Sequence, residues 1–255
     1  AVALASRSRH RRPAVVATRH FARARGRVGP VRIDALLRGR IDAEISISKA
    51  VAATIGRPST VVHTGIDPRP AVDPASRGRT ILMAQRLQPE KRTDVGVRAF
   101  AASGLAGEGW TLDVAGMGPE RAPLERLVAD LGIAASVRFS GYRTDLPELL
   151  DRSGVLLAPC PVEGLGLTLL EGMAGGLPPV AADAAGHVEL LDGLDPRSRF
   201  TADDPDAAGE RLRALAADPE GRAALGAAAR DRQQRHFSLR SQADGTEAVY
   251  RRVLG

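Results

Sequence analysis

An α/β fold carrying a doubly wound parallel sheet is predicted for this 255-residue chain by three observations. Over residues 80–180 short apolar runs alternate with segments of helical periodicity, the alternation that builds a parallel sheet with helices packed on it. The runs Ile81-Leu82-Met83-Ala84 and Val155-Leu156-Leu157-Ala158 are continuously apolar, as in strands buried on both faces. Breakers follow the runs: Gly116 and Gly118 come after residues 110–115, and Pro159 and Pro161 come after the second apolar run.

The elements can be justified in order. Residues 13–20 hold a short strand ending in polar residues, and 33–37 read as helical. Residues 41–48 are a strand and 49–55 a short helix behind a Ser48 cap, since a serine oxygen satisfies a free N–H of the first turn. A strand over 60–63 leads to the turn Thr64-Gly65-Ile66-Asp67. Residues 68–79 are rich in Pro, Asp and Ser without a period and form a linker. Strand 80–84 opens the next unit, and Val95, Val97, Phe100 and Ala101 mark a helix over 94–102. The glycines of Gly116-Met117-Gly118 let the chain reverse from strand 110–115 into helix 120–131. A strand plus loop covers 136–142, and a short helix capped by Asp145 covers 145–150. After strand 155–158 a helix begins near 166–168 and ends at Gly175-Gly176. In strand 177–182, Pro179 lacks a ladder donor and so requires a bulge or the first position. The stretch 201–205 caps helix 206–216, and helices 221–232 and 240–253 complete the chain.

Composition narrows the function. Hydrophobic residues make up 44% of the chain and aromatics only 3%, so the core is built from Ala, Val, Leu and Ile. The single cysteine, Cys160, excludes an internal disulfide framework and a cysteine-rich zinc site and reads as a small buried residue. No apolar run is long enough to span a bilayer, and no apolar segment follows the arginines of residues 1–12, so a cytoplasmic protein is expected. Net charge is +6, and eleven arginines crowd the first forty residues against one acid, Asp34. Such a cluster suits a solvated basic face or contact with phosphates, including an anionic inner membrane surface. No aromatic platform interleaves the arginines, which disfavours nucleic acid.

Chemistry concentrates at Glu163-Gly164-Leu165-Gly166-Leu167-Thr168-Leu169-Leu170-Glu171, where seven residues separate two glutamates. Glu163 falls in a loop at a strand's carboxyl end and Glu171 in the following helix, the place where open parallel sheets bind ligands. Gly164 and Gly166 let backbone N–H groups approach a ligand, and the helix start favours an anion. Upstream, Arg86 and Lys91 sit at another strand end, where two cations stand close in sequence.

These stretches resemble retaining glycosyltransferases of family 4, within glycosyltransferase group 1, which have the GT-B fold. The resemblance is carried by the segment from Glu163 to Pro178, by Gln85-Arg86-Leu87 with Glu90-Lys91, by Gly116-x-Gly118, by Phe139-x-Gly141 and loosely by Gly186-His187-Val188-Glu189. Gln85 and Pro179 depart from the family's wording, as does Thr64 in the turn. The resemblance implies a complete Rossmann-like donor domain at 80–236 behind the 68–79 linker, a partial acceptor domain at 1–67, and a terminal helix at 237–255 crossing back to it. Some sixty residues before the junction are too few for a whole α/β domain, so a truncated or reduced homologue is expected. The resemblance further implies transfer of a hexose from a nucleoside diphosphate sugar to a hydroxyl acceptor with retention. Arg86 and Lys91 would hold the diphosphate, Glu163 the sugar hydroxyls and Glu171 the ribose. Gly164, Leu165, Gly166 and Leu167 would supply backbone contacts, Gly141 and Tyr142 would lie near the base, and His187 could reach the sugar. No Asp-x-Asp metal site stands in these motifs, so no metal and no cofactor is expected. The alternatives are a non-catalytic nucleotide-sugar-binding remnant and another GT-B enzyme such as a sugar-nucleotide epimerase.

Overall fold

A computed structural model describes residues 13–21, 26–28, 30–33, 37 and 39–255. Residues 34–36 of the expected helix over 33–37 lie outside the described residues, as do Arg7, Arg9, Arg11, Arg12, Arg23, Arg25 and Arg38 of the basic cluster.

Among the described residues, eleven strands form two parallel sheets and a ribbon. The smaller sheet has the order β1-β4-β5, from β1 (Val16–Arg19), β4 (Ala43–Ser46) and β5 (Thr60–Val61). The ribbon pairs β2 (Arg27–Val28) with β3 (Val31–Arg32) antiparallel. The larger sheet comprises β6 (Thr80–Ala84), β7 (Thr111–Ala115), β8 (Val137–Gly141), β9 (Val155–Ala158), β10 (Pro179–Ala182) and β11 (Arg199–Phe200), in the order β11-β10-β9-β6-β7-β8. Every pairing in it is parallel. The chain therefore starts mid-sheet, winds outward through β7 and β8, then returns beside β6 at β9 and winds the other way. This is the doubly wound order, with its topological switch between β6 and β9.

Nine helices fill the connections: α1 (Lys49–Ala53), α2 (Thr93–Ser103), α3 (Arg121–Asp130), α4 (Leu146–Arg152), α5 (Leu167–Ala174), α6 (Ala185–Leu191), α7 (Pro205–Ala217), α8 (Pro219–His236) and α9 (Leu239–Leu254), counted among the described residues. Ile81, Leu82 and Met83 are all fully buried. Successive strand residues point to opposite faces, so helices cover both sides of β6. Helix α2 packs on α3 and α7, while α5 packs on α4 and α8. The core is dominated by Leu, Val, Ile and Ala, with Trp110 and Phe100 among its few aromatics.

The sheet extends one strand beyond the expected alternation. The two-residue β11 has no apolar run to announce it and exists because Ala181 and Ala182 offer it a parallel edge. Strand β4 is shorter than the expected 41–48, because only 43–46 meet partners on β1 and β5. Helix α8 is longer than the expected 221–232, because Asp218 caps it by accepting from Gly221 N with Pro219 in the first turn. Asp145 stands at the N-cap of α4 but does not cap with its side chain, since its carboxylate is taken by Arg143. Pro179 is the first residue of β10, one of the two positions its missing N–H allows.

The segment 68–79 and helix α9 are among the connections between the small sheet and the large one. Residues 68–79 are strapped down by Arg77, whose guanidinium donates to the carbonyls of Leu150, Asp151, Ser153 and Gly175. Helix α9 lies against the small sheet: Val249 packs with Ile45 and Val62, and Arg252 donates to Thr60 Oγ1 at 2.8 Å. Arg19, counted in the basic cluster, is only 7% exposed and faces Glu44 at 3.8 Å.

Candidate active site

A cleft opens at the carboxyl ends of β6 and β9, the two strands that flank the switch point. Its walls include Gln85, Arg86 and Lys91 from the loop after β6, Cys160 and Glu163 from the loop after β9, Gly166, Leu167 and Thr168 at the start of α5, and His187 from α6. The expected residues Arg86, Lys91, Glu163, Gly166 and Leu167 are thus brought together. Glu171, Gly164, Leu165, Gly141 and Tyr142 are not in this wall.

The β6 loop is shaped by hydrogen bonds that the sequence hid. Gln85, which departs from the family's usual glycine, donates through Nε2 to Lys91 O at 3.0 Å and to Thr93 Oγ1 at 2.9 Å. Its amide thereby fixes the turn that presents Lys91. Gly116, at φ +147°, has no room for a side chain: a Cβ would lie 1.9 Å from Gln85 O. The Gly-x-Gly turn therefore does more than reverse the chain, since it also lets the Arg86 loop lie directly on it. Arg86 itself is exposed at the cleft edge.

Lys91 Nζ meets Glu163 Oε2 at 2.5 Å. Burial alone would push the Glu163 carboxyl up, but the Lys91 hydrogen bond and charge outweigh it and hold the group below the usual carboxylate range. His187 is 1% exposed, and burial pulls its imidazole down to about 4, so it is neutral at physiological pH. Its Nδ1 is buried and makes no hydrogen bond. Gly166 has φ +104°, and a Cβ there would sit 2.9 Å from His187 Cδ2, so this glycine is required both by its backbone and by the imidazole beside it. Cys160 is buried with its thiol donating to Glu90 O at 3.4 Å, and burial raises its pKa.

The remaining expected residues have other surroundings. Glu171 is half-buried on α5, one turn beyond Leu167 and Thr168 and so on the same side of the helix. Burial pushes its carboxyl up, opposed by the charge of Arg69. The Gly164 carbonyl accepts from Ser48 Oγ at 2.6 Å, and Leu165 is buried. Gly141 O accepts from Gly116 N at 2.7 Å, and Tyr142 is 71% exposed beside the Arg143–Asp145 pair. The triplet Asp204-Pro205-Asp206 is a helix start: Asp204 accepts from Ala207 N at 2.9 Å.

Sequence reasoning missed the contacts that join α6 to residues beside the small sheet. Glu189 of α6 accepts from Lys49 N at 3.0 Å, from Ala50 N at 3.1 Å and contacts His63 Nε2 at 2.8 Å. Burial would raise this carboxyl, and those donors, His63 first, bring it below its ordinary value. The Ser48 cap was visible in sequence, but its second bond to Gly164 spans 116 residues and left no local signal.

A doubly wound sheet with paired charges at its switch point, facing the ends of a second parallel sheet, defines a ligand-binding α/β protein of GT-B type. Residues 69–232 match the family described as Glycosyl transferases group 1, and the chain belongs to that family. It is 30% identical over 234 residues to the lipopolysaccharide core biosynthesis mannosyltransferase LpsB of Rhizobium meliloti, covering 84% of this chain and 67% of that one. It is 31% identical to the GDP-mannose-dependent alpha-(1-6)-phosphatidylinositol monomannoside mannosyltransferase of Mycolicibacterium smegmatis, over 70% of this chain and 53% of the relative. The chain thus spans between about half and two thirds of these relatives. In fold it is similar to S. aureus TarM, with a TM-score of 0.80 at 14% identity over 96% of this chain and 52% of TarM. It is also similar to Anabaena HepE in complex with UDP-glucose, with a TM-score of 0.75 at 20% identity over 94% of this chain and 72% of HepE.

Proposed function

We propose that this chain belongs to a retaining glycosyltransferase of family 4, moving a hexose from a nucleoside diphosphate sugar to a hydroxyl acceptor. The observation that carries the reading is the meeting of Arg86, Lys91 and Glu163 in one cleft at the ends of β6 and β9. Family membership supports it, as do relatives named as mannosyltransferases and a fold neighbour described with UDP-glucose.

As the bond from the sugar to the diphosphate breaks, negative charge grows on the leaving phosphate. Arg86 and Lys91 are the cations of this cleft and stabilise the charge without proton transfer. Glu163 takes hydroxyls of the transferred sugar, and Glu171 takes the ribose hydroxyls. The N–H groups of the loop around Gly164, Leu165, Gly166 and Leu167 lie beside the donor, and Gly141 with Tyr142 borders the base. The acceptor oxygen bonds to the anomeric carbon on the side the phosphate leaves, and its proton passes to the departing phosphate oxygen. No protein nucleophile is required, and Glu163, tied to Lys91, is not assigned one. The reaction is proposed to be independent of metal and cofactor. The proposed setting is cytoplasmic, with the N-terminal arginines favouring an anionic membrane surface.

The test is donor hydrolysis and transfer with UDP-glucose and GDP-mannose, alongside calorimetric binding of UDP and GDP. Arg86→Ala and Glu171→Ala should each lower kcat/KM by at least tenfold, the scale of losing a charged contact to the transition state (about 1.4 kcal/mol or more). If both variants stay within about twofold of the parent, the assignment is wrong. Binding without turnover would leave a nucleotide-sugar-binding module in place of an enzyme.

A further inference from the structure

Lys91 and Glu163 come from loops 72 residues apart and pair at 2.5 Å inside the cleft, with their side chains 14% and 27% exposed. The other cation of the wall, Arg86, has no ion pair among the described residues. Among the described residues, Cys160 and the buried, neutral His187 are the further polar side chains acting on Glu163. So the cation assigned to the leaving phosphate is engaged by the carboxylate assigned to the sugar.

We propose that the Lys91–Glu163 pair makes the cleft discriminate between the sugar-loaded nucleotide and the spent nucleoside diphosphate, favouring the first and hastening release of the second. This rests on the functional reading above. When a nucleotide sugar enters, the diphosphate takes Lys91 and the sugar hydroxyls donate to Glu163, so each ion exchanges one charge-assisted partner for another. After transfer the hydroxyls have gone, and the diphosphate gains a negative charge once the proton it took from the acceptor passes to solvent. Glu163 is then a half-buried carboxylate that has lost its charged partner and the sugar hydroxyls, beside a like charge, which is an unfavourable state. It regains a partner by drawing Lys91 back from the phosphate. The same two side chains that accept the donor thereby loosen the product.

The consequence runs opposite to the usual loss of a ligand contact, because removing the carboxylate should tighten product binding. Calorimetry with UDP, GDP, UDP-glucose and GDP-mannose on the parent, Glu163→Gln and Lys91→Met tests this, with thermal melts confirming that each variant folds. For the nucleotide pair the parent accepts, Glu163→Gln should bind the nucleoside diphosphate about fivefold tighter or more, and its sugar form no tighter than the parent does. Lys91→Met should weaken both. Glu163→Ala carries the same expectation for the diphosphate and guards against an effect peculiar to glutamine. The inference is overturned if neither glutamate variant binds the diphosphate more tightly, or if diphosphate and sugar nucleotide tighten alike. A parent that binds none of the four nucleotides sinks the functional reading itself.

Discussion

Gly166 and His187 occupy one spot in the cleft wall, and each constrains the other. With φ at +104° and His187 Cδ2 2.9 Å from where a Cβ would stand, Gly166→Ala meets both backbone strain and a buried ring. We expect Gly166→Ala to lose about 1–3 kcal/mol of stability in denaturant melts and to weaken nucleotide binding. His187 sets a pH dependence. Burial lowers its pKa from 6.5 to about 4, so the unfolded imidazole takes a proton below about 6.5 while the folded one stays neutral. Stability is therefore complete above pH 6.5 and should fall by about 3 kcal/mol as the pH drops to 4, since each pKa unit is worth about 1.4 kcal/mol. His187→Gln should flatten that slope in melts taken between those pH values, and an unchanged slope would refute the assignment. At this scale much was legible. Arg86, Lys91 and Glu163 announce themselves as charges at the ends of apolar runs, and Cys160 reads correctly as buried. The role of Gln85 was not legible, because its partners depend on the backbone turn at Lys91. Its spacing singles out Glu171, which stands one turn outside the cleft wall.

Between elements, the decisive contact is that of the loop after β9 with the start of α6. Gly186 N donates to Glu163 O at 3.0 Å, and a Cβ on Gly186 would lie 2.4 Å from Leu165 Cα and 2.5 Å from Gly164 O. These neighbours are backbone and cannot swing aside. Gly186→Ala should therefore push α6 away from the loop, displacing Glu163 and lowering kcat/KM at least tenfold while the protein still folds by circular dichroism. Wild-type kinetics would refute this. The strand–helix alternation was readable because it rests on local periodicity, and the ends of α2, α3, α5 and α9 fall within a residue or two of their expected positions. Strand β11 and the true start of α8 were not readable. One depends on a neighbouring strand's edge, and the other on Asp218, whose side chain caps the helix by accepting from Gly221 N.

Across the whole molecule, Glu189 links the large sheet's helix α6 to the start of α1 and to His63. Glu189→Ala should leave nucleoside diphosphate binding in place, because Arg86 and Lys91 do not touch it. It should increase amide exchange in α1 and in residues 163–166, where Ser48 Oγ and the Gly164 carbonyl meet. Unchanged exchange would mean that α9 and the 68–79 strap hold the two sheets without it. No helix among the described residues is long and apolar enough to cross a membrane. By itself the order of residues determined the parallel α/β class, the switch-point loops and the charges they bear, because periodicity and residue type at strand ends act over a few positions. Only the tertiary structure decided that Lys91 neutralises Glu163, that Glu189 bridges the two sheets and that Glu171 stands back from the wall. Those contacts join residues far apart in the chain, and they exist only once β9 has come to lie beside β6.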